Sequence, residues 1–227
     1  MKTHLKTKLT LASILLSFNV FAAGDLYLDH ANTDISDTAS LQNGAKLFMN
    51  YCSGCHAISF MRYNRIAQDL NLSDSLVAEH LMFTGDNPGE TITTAMPKEG
   101  AAKWFGIAPP DLSLVARAKG TDWIYTYLRG FYEDDSKVFG VNNKVLENAS
   151  MPDVLWSLKE GRPEAEFDQN VRDITNFLDY VGEPAKLIRT SLGVWVLLFL
   201  SVLLVLTYLL KKEYWKDVKY GIWRPRD

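Results

Sequence analysis

The sequence has little cysteine, no internal repeat and, between its two hydrophobic runs, a shortage of basic residues. Only two of the 227 residues are cysteines. Residues 23–190 contain 15 lysines and arginines against 24 aspartates and glutamates, a net charge of −9. Such a surface attracts basic partners and repels nucleic acid, which is therefore excluded as a ligand. A composition of 47% hydrophobic and 22% charged residues also argues against a disordered chain.

The first hydrophobic run lies close to the N-terminus. It covers residues 9–21, follows three lysines, and precedes the small residues Ala22 and Ala23. This pattern is typical of a secretory signal peptide, and the run is too short to span a bilayer. We therefore predict that residues 1–22 are a signal peptide that is cleaved, and not a membrane anchor that is retained.

The second hydrophobic run covers residues 192–210 and contains no charged residue. Its 19 residues are long enough to cross a membrane. A buried soluble helix is the alternative, but every face of that helix would have to be apolar. Lysines cluster just after the run, so the positive-inside rule places the tail in the cytoplasm. We predict a periplasmic domain over residues 23–190, a transmembrane helix over 191–210 and a cytoplasmic tail over 211–227.

Two helices outside the hydrophobic runs are predicted to pack together. The first begins near Ser40, where apolar residues recur at spacings of three and four, and Gly44 on it invites a close helix crossing. The second runs from about Phe167 to Val181 and ends at Gly182. Both helices belong to a fold that we predict to be mainly α-helical.

The middle of the chain is rich in glycine and proline, which predicts an irregular path. One helix stands out there, with Asp122 as its N-cap, Arg129 in its last turn and Gly130 as its stop. Trp123 and Tyr127 lie four residues apart on it and form an aromatic stripe. Such a stripe suits the protein core and the wall of a cofactor pocket equally well.

Both cysteines lie in one motif, Cys52-Ser53-Gly54-Cys55-His56, which is typical of covalent haem attachment. Two thiols one turn apart can each add to a vinyl group of one porphyrin, and the imidazole of the next residue can bind the iron. Ser53 and Gly54 are small enough for the backbone to turn against the edge of the ring. We predict that Cys52 and Cys55 hold one haem c and that His56 is its proximal ligand.

Two other chemistries use the same residue types. An exported pair of cysteines at this spacing is also typical of a thiol–disulfide redox site. Such a pair usually opens a helix after a strand, whereas here it follows a helical segment with no parallel-sheet pattern around it. A structural zinc site needs four ligands, and only His30, His80 and carboxylates remain to complete one.

A distal iron ligand would have to come from the remaining methionines and histidines. The candidates in the predicted soluble domain are Met49, Met61, Met82, Met96, Met151, His30 and His80. Met96 and Met151 each precede a proline, which favours an extended backbone that can present a side chain. The spacing does not choose between these two, and either is also compatible with a place in the core. Methionine ligation would give a higher reduction potential than a second histidine.

Motifs over nearly the whole mature chain are similar to those of the cytochrome c1 family. They are, in order, Met61-Arg62-Tyr63-Asn64-Arg65, Ala108-Pro109-Pro110-Asp111-Leu112-Ser113, Ala116-Arg117-Ala118-Lys119, Asn148-Ala149-Ser150-Met151-Pro152 and Asn176-Phe177-Leu178-Asp179-Tyr180-Val181-Gly182-Glu183-Pro184. The resemblance implies a mainly α fold: a c-type cytochrome domain with an enlarged middle region plus one C-terminal transmembrane helix.

The same resemblance implies roles for particular residues. Met151, and not Met96, would be the distal ligand, so that His56 and Met151 would together hold the iron. Pro110 would lie against the haem, and a basic residue after the Pro-Pro loop would contact a propionate. Arg117 is the candidate for that contact, with Lys119 in the place where many relatives have a second arginine.

The resemblance finally implies an electron-transfer subunit of the ubiquinol–cytochrome c reductase (bc1) complex in a bacterial inner membrane. Such a subunit has no bond-making site of its own, and its complex is dimeric. Its partners would be cytochrome b, a Rieske iron–sulfur protein as electron donor and a c-type cytochrome as acceptor. Glu133-Asp134-Asp135 and residues 164–168 are candidate acids for docking. The alternatives are a free-standing membrane cytochrome that donates to a terminal oxidase and a tethered thiol oxidoreductase.

Overall fold

The computed structural model of the chain describes residues 26–221. The predicted signal peptide and the last six residues of the predicted tail lie outside this part. The helices are α1 (Thr38–Tyr51), α2 (Tyr63–Asp69), α3 (Asp74–His80), α4 (Lys98–Phe105), α5 (Val115–Lys119), α6 (Thr121–Arg129), α7 (Trp156–Lys159), α8 (Glu164–Gly182), α9 (Lys186–Tyr214) and α10 (Lys216–Tyr220). The fold is mainly α-helical, as predicted.

Strands are few and short in the described residues. β1 (Ile58–Arg62) pairs with β2 (Thr91–Ile92), and β3 (Phe131–Glu133) pairs with β4 (Val141–Asn143). Both pairs are antiparallel, and in the second Phe131 lies opposite Asn143. Because neither pair is parallel, neither forms the βαβ context in which a thiol–disulfide pair usually lies.

The crossing of α1 and α8 forms the centre of the core, so the predicted pairing of these helices is confirmed. Gly44 allows the close approach, since a Cβ atom at this position would lie 2.1 Å from the backbone oxygen of Asp173. One turn further along, the rings of Phe48 and Phe177 pack with their centroids 5.7 Å apart. α8 begins before the predicted Phe167, since Pro163 and two glutamates in the first turn form a favourable N-terminus.

The prediction that Asp122 caps α6 is wrong. The helix starts two residues earlier than predicted, with Gly120 as its N-cap, and the φ of 91° at Gly120 lies in a region that only glycine adopts readily. The carboxylate of Asp122 instead accepts hydrogen bonds from the backbone nitrogen of Ala31 at 2.9 Å and from Nδ1 of His30 at 2.8 Å. A long-range contact has therefore taken the carboxylate that the local sequence assigned to a cap.

The segment before α1 forms hydrogen bonds with both α6 and α8 through Asp29 and Ala31. Arg129 of α6 bonds Asp29 at 2.7 Å and Asp168 of α8 at 2.6 Å. Arg172 of α8 donates to the carbonyl of Ala31 at 3.0 Å. α6 is thereby held against α8 by charge-assisted hydrogen bonds as well as by apolar packing.

α9 has no buried residue along its 29 positions. With the short helix that follows, it forms one segment, Lys186–Tyr220, that contains a stretch long and apolar enough to cross a membrane. At about 1.5 Å per residue, α9 exceeds the ~30 Å thickness of a hydrocarbon core. The predicted span, residues 191–210, lies inside it.

Replacement of Gly44 by alanine should destabilise the fold. The added methyl group would overlap the backbone of α8, so the two helices must separate, at a cost of about 1–3 kcal/mol or more in the free energy of unfolding. Guanidinium unfolding of the detergent-solubilised protein measures it. The matched control is Gly89→Ala, whose methyl group meets nothing within 4 Å. Equal unfolding midpoints for the two variants would contradict the crossing.

Candidate functional site

The two cysteines and His56 lie on one turn that continues from the end of α1. Cys52 is the C-cap of the helix, and its backbone nitrogen donates to the carbonyl of Phe48 at 2.8 Å. The backbone nitrogen of His56 donates back to the carbonyl of Cys52 at 2.9 Å, which closes the turn. Both thiols are free, with Cys52 buried and Cys55 half-buried. The turn thus presents two thiols and an imidazole from adjacent positions.

The His56 ring is held by a loop 54 residues further along the chain. Its Nδ1 lies 2.8 Å from the carbonyl oxygen of Pro110, which can only accept a hydrogen bond. Nδ1 therefore carries the proton, and Nε2 is the nitrogen with a free lone pair. Burial lowers the pKa of His56, although the Pro110 carbonyl acts in the opposite direction. A neutral imidazole oriented through Nδ1 is the form in which histidine binds a metal.

The loop that contains Pro110 is tied to the segment that follows His56. The carboxylate of Asp111 accepts from the backbone nitrogens of Ser59 at 3.0 Å and Ser113 at 2.7 Å. The backbone nitrogen of Leu112 donates to the carbonyl of Ala57 at 2.8 Å. Burial favours the neutral acid, but the hydrogen bonds from Ser113 and Ser59 prevail and lower the pKa of Asp111. The residues that directly follow Pro110 are therefore held against the segment that follows His56, which limits the movement of the Pro110 carbonyl.

Met151 lies half-buried against the core, beside an aromatic cluster on α6. The hydroxyl of Tyr127 lies 3.6 Å from its sulfur. The Tyr127 ring stacks on Trp123 with centroids 4.9 Å apart and meets Phe131 edge-on at 5.3 Å. Burial raises the pKa of Tyr127 to about 12. The predicted aromatic stripe is thus core packing that also reaches a candidate ligand.

Two buried asparagines that the sequence analysis missed hold the loop from β4 to Met151. Asn143 donates to the carbonyl of Tyr127 at 2.8 Å and accepts from the backbone nitrogen of Val145 at 2.8 Å. Asn142 accepts from the backbone nitrogen of Asn148 at 2.9 Å. The one available signal was the Asn-Asn pair itself, because asparagine side chains readily bond the backbone of their own turns.

The other candidate ligands occupy different environments. Met49 and Met61 are buried in the core and Met82 packs against it. Met96 is half-buried, and its backbone nitrogen donates to the hydroxyl of Thr94. That hydroxyl donates in turn to the carbonyl of Gly54, which lies in the turn between the two cysteines. The structure therefore brings both Met96 and Met151 to segments that border candidate site residues.

His30 and His80, the other candidate histidines, are exposed and paired with carboxylates. His30 contacts Asp122 at 2.8 Å, and His80 lies 4.0 Å from Glu79. Throughout residues 26–221, no group of three or more His, Cys, Asp or Glu side chains is arranged to hold a metal ion. A structural zinc site therefore lacks the ligands that it needs in this part of the chain.

Arg117 and Lys119 lie exposed on α5, between the Pro110 loop and α6. A Cβ atom on Gly182 of α8 would lie 3.3 Å from Cγ of Arg117, so the Arg117 stem lies close against that helix. The Lys119 ammonium lies 5.5 Å from the centre of the Trp123 ring. Lys119 thus neighbours the aromatic stripe that leads to Met151.

The cysteines have the opposite properties from those of a redox-active pair. Burial, and then the neighbouring Cys55, raise the pKa of Cys52 to about 12, and burial raises the pKa of Cys55. Cys52 also ends a helix, where the macrodipole disfavours a thiolate. Reactive cysteines have lowered pKa values, commonly at helix N-termini. The geometry therefore disfavours the thiol oxidoreductase alternative.

The two predicted acidic clusters differ in how many charges remain available. In residues 164–168, Glu166 pairs with Arg162 at 2.8 Å and Asp168 with Arg129 at 2.6 Å. The other cluster, Glu133-Asp134-Asp135, lies on the hairpin of β3 and β4 and is called the hairpin cluster here. Its Asp134 accepts hydrogen bonds from Ser136 and Asn142, which lower the pKa of Asp134, while Glu133 and Asp135 stay exposed. The hairpin cluster is the more available of the two for a partner.

Comparison with known proteins identifies one family and several similar proteins. The model of the Cytochrome C1 family matches residues 30–218. Cytochrome c1 of Allochromatium vinosum is 47% identical over 93% of this chain and 99% of its own length. The ammonia monooxygenase gamma subunit of Nitrosomonas europaea is 43% identical over 92% of this chain and 97% of its own length. The cytochrome b/c1 protein of Bradyrhizobium diazoefficiens is 26% identical over 80% of this chain, which covers 34% of that protein.

Replacement of Asp111 by alanine should loosen the loop that orients His56. Two backbone nitrogens would lose their acceptor, at a cost of about 1–2 kcal/mol in the free energy of unfolding. The comparison variant is Asp135→Ala, which removes an exposed carboxylate of the hairpin cluster, and denaturant titration measures the unfolding free energy of both variants.

The same carboxylate predicts a pH dependence. Because the pKa of Asp111 is lowered in the folded state, the stabilisation is complete above the ordinary value of 3.8 and disappears as the pH falls through the folded-state pKa. The difference between wild type and Asp111→Ala should therefore shrink in acid, and a constant difference would contradict the role of the carboxylate.

Proposed function

This chain belongs to the cytochrome c1 family, and from that premise we propose that it is the membrane-anchored electron-transfer subunit of a bc1 complex. In this proposal Cys52 and Cys55 bind one haem c covalently, and His56 and Met151 are its axial ligands. The observation that supports it most directly is the attachment turn itself. Both thiols and an imidazole held through Nδ1 by Pro110 lie on five consecutive residues.

The donor set fits a covalently bound haem. Two thiols with no disulfide partner can form thioethers, while the neutral His56 ring and the Met151 thioether match the ligands that give a high reduction potential. When bound, a haem with these ligands supplies reversible one-electron transfer at its iron. No bond of a substrate is made or broken in this function.

The chain's own residues would hold this group in one orientation. The Pro110 carbonyl keeps the proton of His56 on Nδ1, so that Nε2 would be the nitrogen that binds the iron, and Asp111 holds the loop of that carbonyl. Arg117 and Lys119, exposed on α5, would neutralise a propionate. Fixed ligands favour electron transfer because little rearrangement accompanies the change of charge.

The proposed partners follow from the family and from the surface. Electrons would arrive from a Rieske iron–sulfur protein and leave to a c-type cytochrome, with cytochrome b as the membrane neighbour in a dimeric complex. A relative named cytochrome b/c1 supports cytochrome b as the membrane neighbour. This chain covers only 34% of that protein, so most of that protein is a different part that its name calls cytochrome b. The exposed Glu133 and Asp135 would steer a basic electron partner.

The membrane arrangement is proposed from α9 and the charges around it. α9 would anchor the chain in a bacterial inner membrane, with the haem domain in the periplasm. Four lysines at positions 211–219 would then keep the short tail in the cytoplasm. An export signal in residues 1–22 belongs to the same arrangement, because covalent haem attachment requires the cysteines outside.

Purification of the tagged full-length chain from membranes tests the proposed function. We expect a band that stains for haem after denaturation, a c-type difference spectrum, and copurification of a multi-span cytochrome b and a Rieske protein. The Cys55→Ser variant should lose the stain because one thioether is missing. A stained band without those partners would indicate a free-standing cytochrome. The absence of stain in the wild type would favour a thiol oxidoreductase.

Paired methionine variants test the distal ligand. Met151→Leu should keep the covalent haem, lower its reduction potential and open a coordination site that binds added carbon monoxide or cyanide. Met96→Leu is the matched control, because it also removes a half-buried methionine that precedes proline. Redox titration and absorption spectra of both variants measure the effect. An unchanged spectrum in Met151→Leu would overturn the assignment of this ligand.

A further inference from the structure

The hydroxyl of Tyr127 has an unusual partner for a buried phenol. Only 9% of this residue is exposed, and its hydroxyl lies 3.6 Å from the sulfur of Met151. Thioether sulfur is a weak acceptor and has no proton to donate, so the phenol must be the donor. Buried tyrosine hydroxyls usually find a stronger partner. The Met151 sulfur therefore has a hydrogen-bond donor beside it.

Two aromatic rings hold the Tyr127 ring. Trp123 stacks on one face with an interplanar angle of 7°, and Phe131 meets it edge-on at 70°. The backbone of Tyr127 lies in α6, which Arg129 ties to α8. The hydroxyl consequently has little freedom to turn away from the sulfur.

The loop that contains Met151 is fastened to the same residue. Asn143, only 1% exposed, donates to the backbone carbonyl of Tyr127 and accepts from the backbone nitrogen of Val145. Tyr127 therefore contacts the loop twice, through its carbonyl at the loop's start and through its hydroxyl at Met151. The two cysteines of the chain both lie in the attachment motif, so no disulfide fastens this loop.

We propose that Tyr127 is a positioning residue that raises the reduction potential of the haem through its hydrogen bond to Met151. This inference rests on the proposed function, in which the Met151 sulfur binds the iron. A hydrogen bond to the sulfur withdraws electron density from the ligand, and ferric iron, which is more electron-deficient, loses more by this than ferrous iron does. The bond therefore favours the reduced state and also holds the sulfur in place for the iron.

The test compares two tyrosine variants of the full-length holoprotein in detergent. Tyr127→Phe removes the hydroxyl that contacts Met151 and keeps the ring. Tyr125→Phe is the matched control, since it removes a buried hydroxyl from the same helix that contacts Arg172 at 3.4 Å instead. Redox titration gives the potential, and the long-wavelength charge-transfer band of methionine-ligated ferric haem reports the iron–sulfur bond.

We expect Tyr127→Phe to retain the haem and the charge-transfer band while its potential falls. At a fixed ambient potential, the ratio of reduced to oxidised protein should decrease about two- to tenfold, as for the loss of one hydrogen bond. Tyr125→Phe should titrate like the wild type. In a Met151→Leu background, Tyr127→Phe should cause no further shift, because the acceptor is gone. If Tyr127 had a purely structural role, both tyrosine variants would shift the unfolding midpoint. The reduction potential would then not change in Tyr127→Phe alone.

The outcomes separate this inference from the proposed function. Equal potentials in Tyr127→Phe and Tyr125→Phe, with the haem and the band intact, overturn the role of Tyr127 and leave the cytochrome function in place. A shift in Tyr127→Phe that persists in the Met151→Leu background overturns it too, since the effect would not pass through the sulfur. A wild-type chain without covalent haem overturns the proposed function and this inference together.

Discussion

The hydrogen bond from the His56 ring to the carbonyl of Pro110 is the contact on which the candidate site depends. It joins positions 54 residues apart and decides which ring nitrogen remains available. The hydrogen bonds that Asp111 accepts hold the loop of this carbonyl, so the orientation of the ring depends on the irregular Pro-Pro loop as well as on the helix before the cysteines. The glycine- and proline-rich middle of the chain is thus part of the site, where its fixed turns replace regular secondary structure.

α8 links the two sides of this site. It crosses α1, which leads into the attachment turn at Cys52, and it packs against α5 and α6. α6 supplies Tyr127, which contacts the loop of Met151, and Arg129 binds that helix to Asp168. Because the segments that contain His56 and Met151 are both fastened to elements that pack on one helix, the core holds both of them. For electron transfer such rigidity is an advantage, since each change of charge then requires little movement of the ligands.

The surface of the protein has an apolar part and an acidic part. α9 exposes apolar side chains over residues 192–210, which suits a lipid environment, whereas residues 23–190 have a net negative charge. Of the acidic residues, several are engaged in ion pairs that stabilise the domain, as Asp168 and Glu166 are. Glu133 and Asp135 stay exposed on the hairpin between β3 and β4. A count of charges therefore overestimates the surface available to a partner, and only the ion-pair geometry separates the two groups.

Much of the fold followed from local pattern: the mainly helical class, the pairing of α1 with α8 through Gly44 and the apolar C-terminal helix all rest on spacings that one segment contains. The predicted haem-attachment motif likewise lies within five residues, so it could be recognised from Cys52 to His56 alone. The sequence alone could not show that Asp122 binds Ala31 and His30 instead of capping α6, nor that Asn142 and Asn143 hold the Met151 loop. Nor could it show that Tyr127 donates to a sulfur atom. The contacts of Asp122 with Ala31, Asn143 with Tyr127 and Tyr127 with Met151 join residues 91, 16 and 24 positions apart, so these partners are decided only when the helices pack. At Asp122 the local cap has lost to a long-range hydrogen bond.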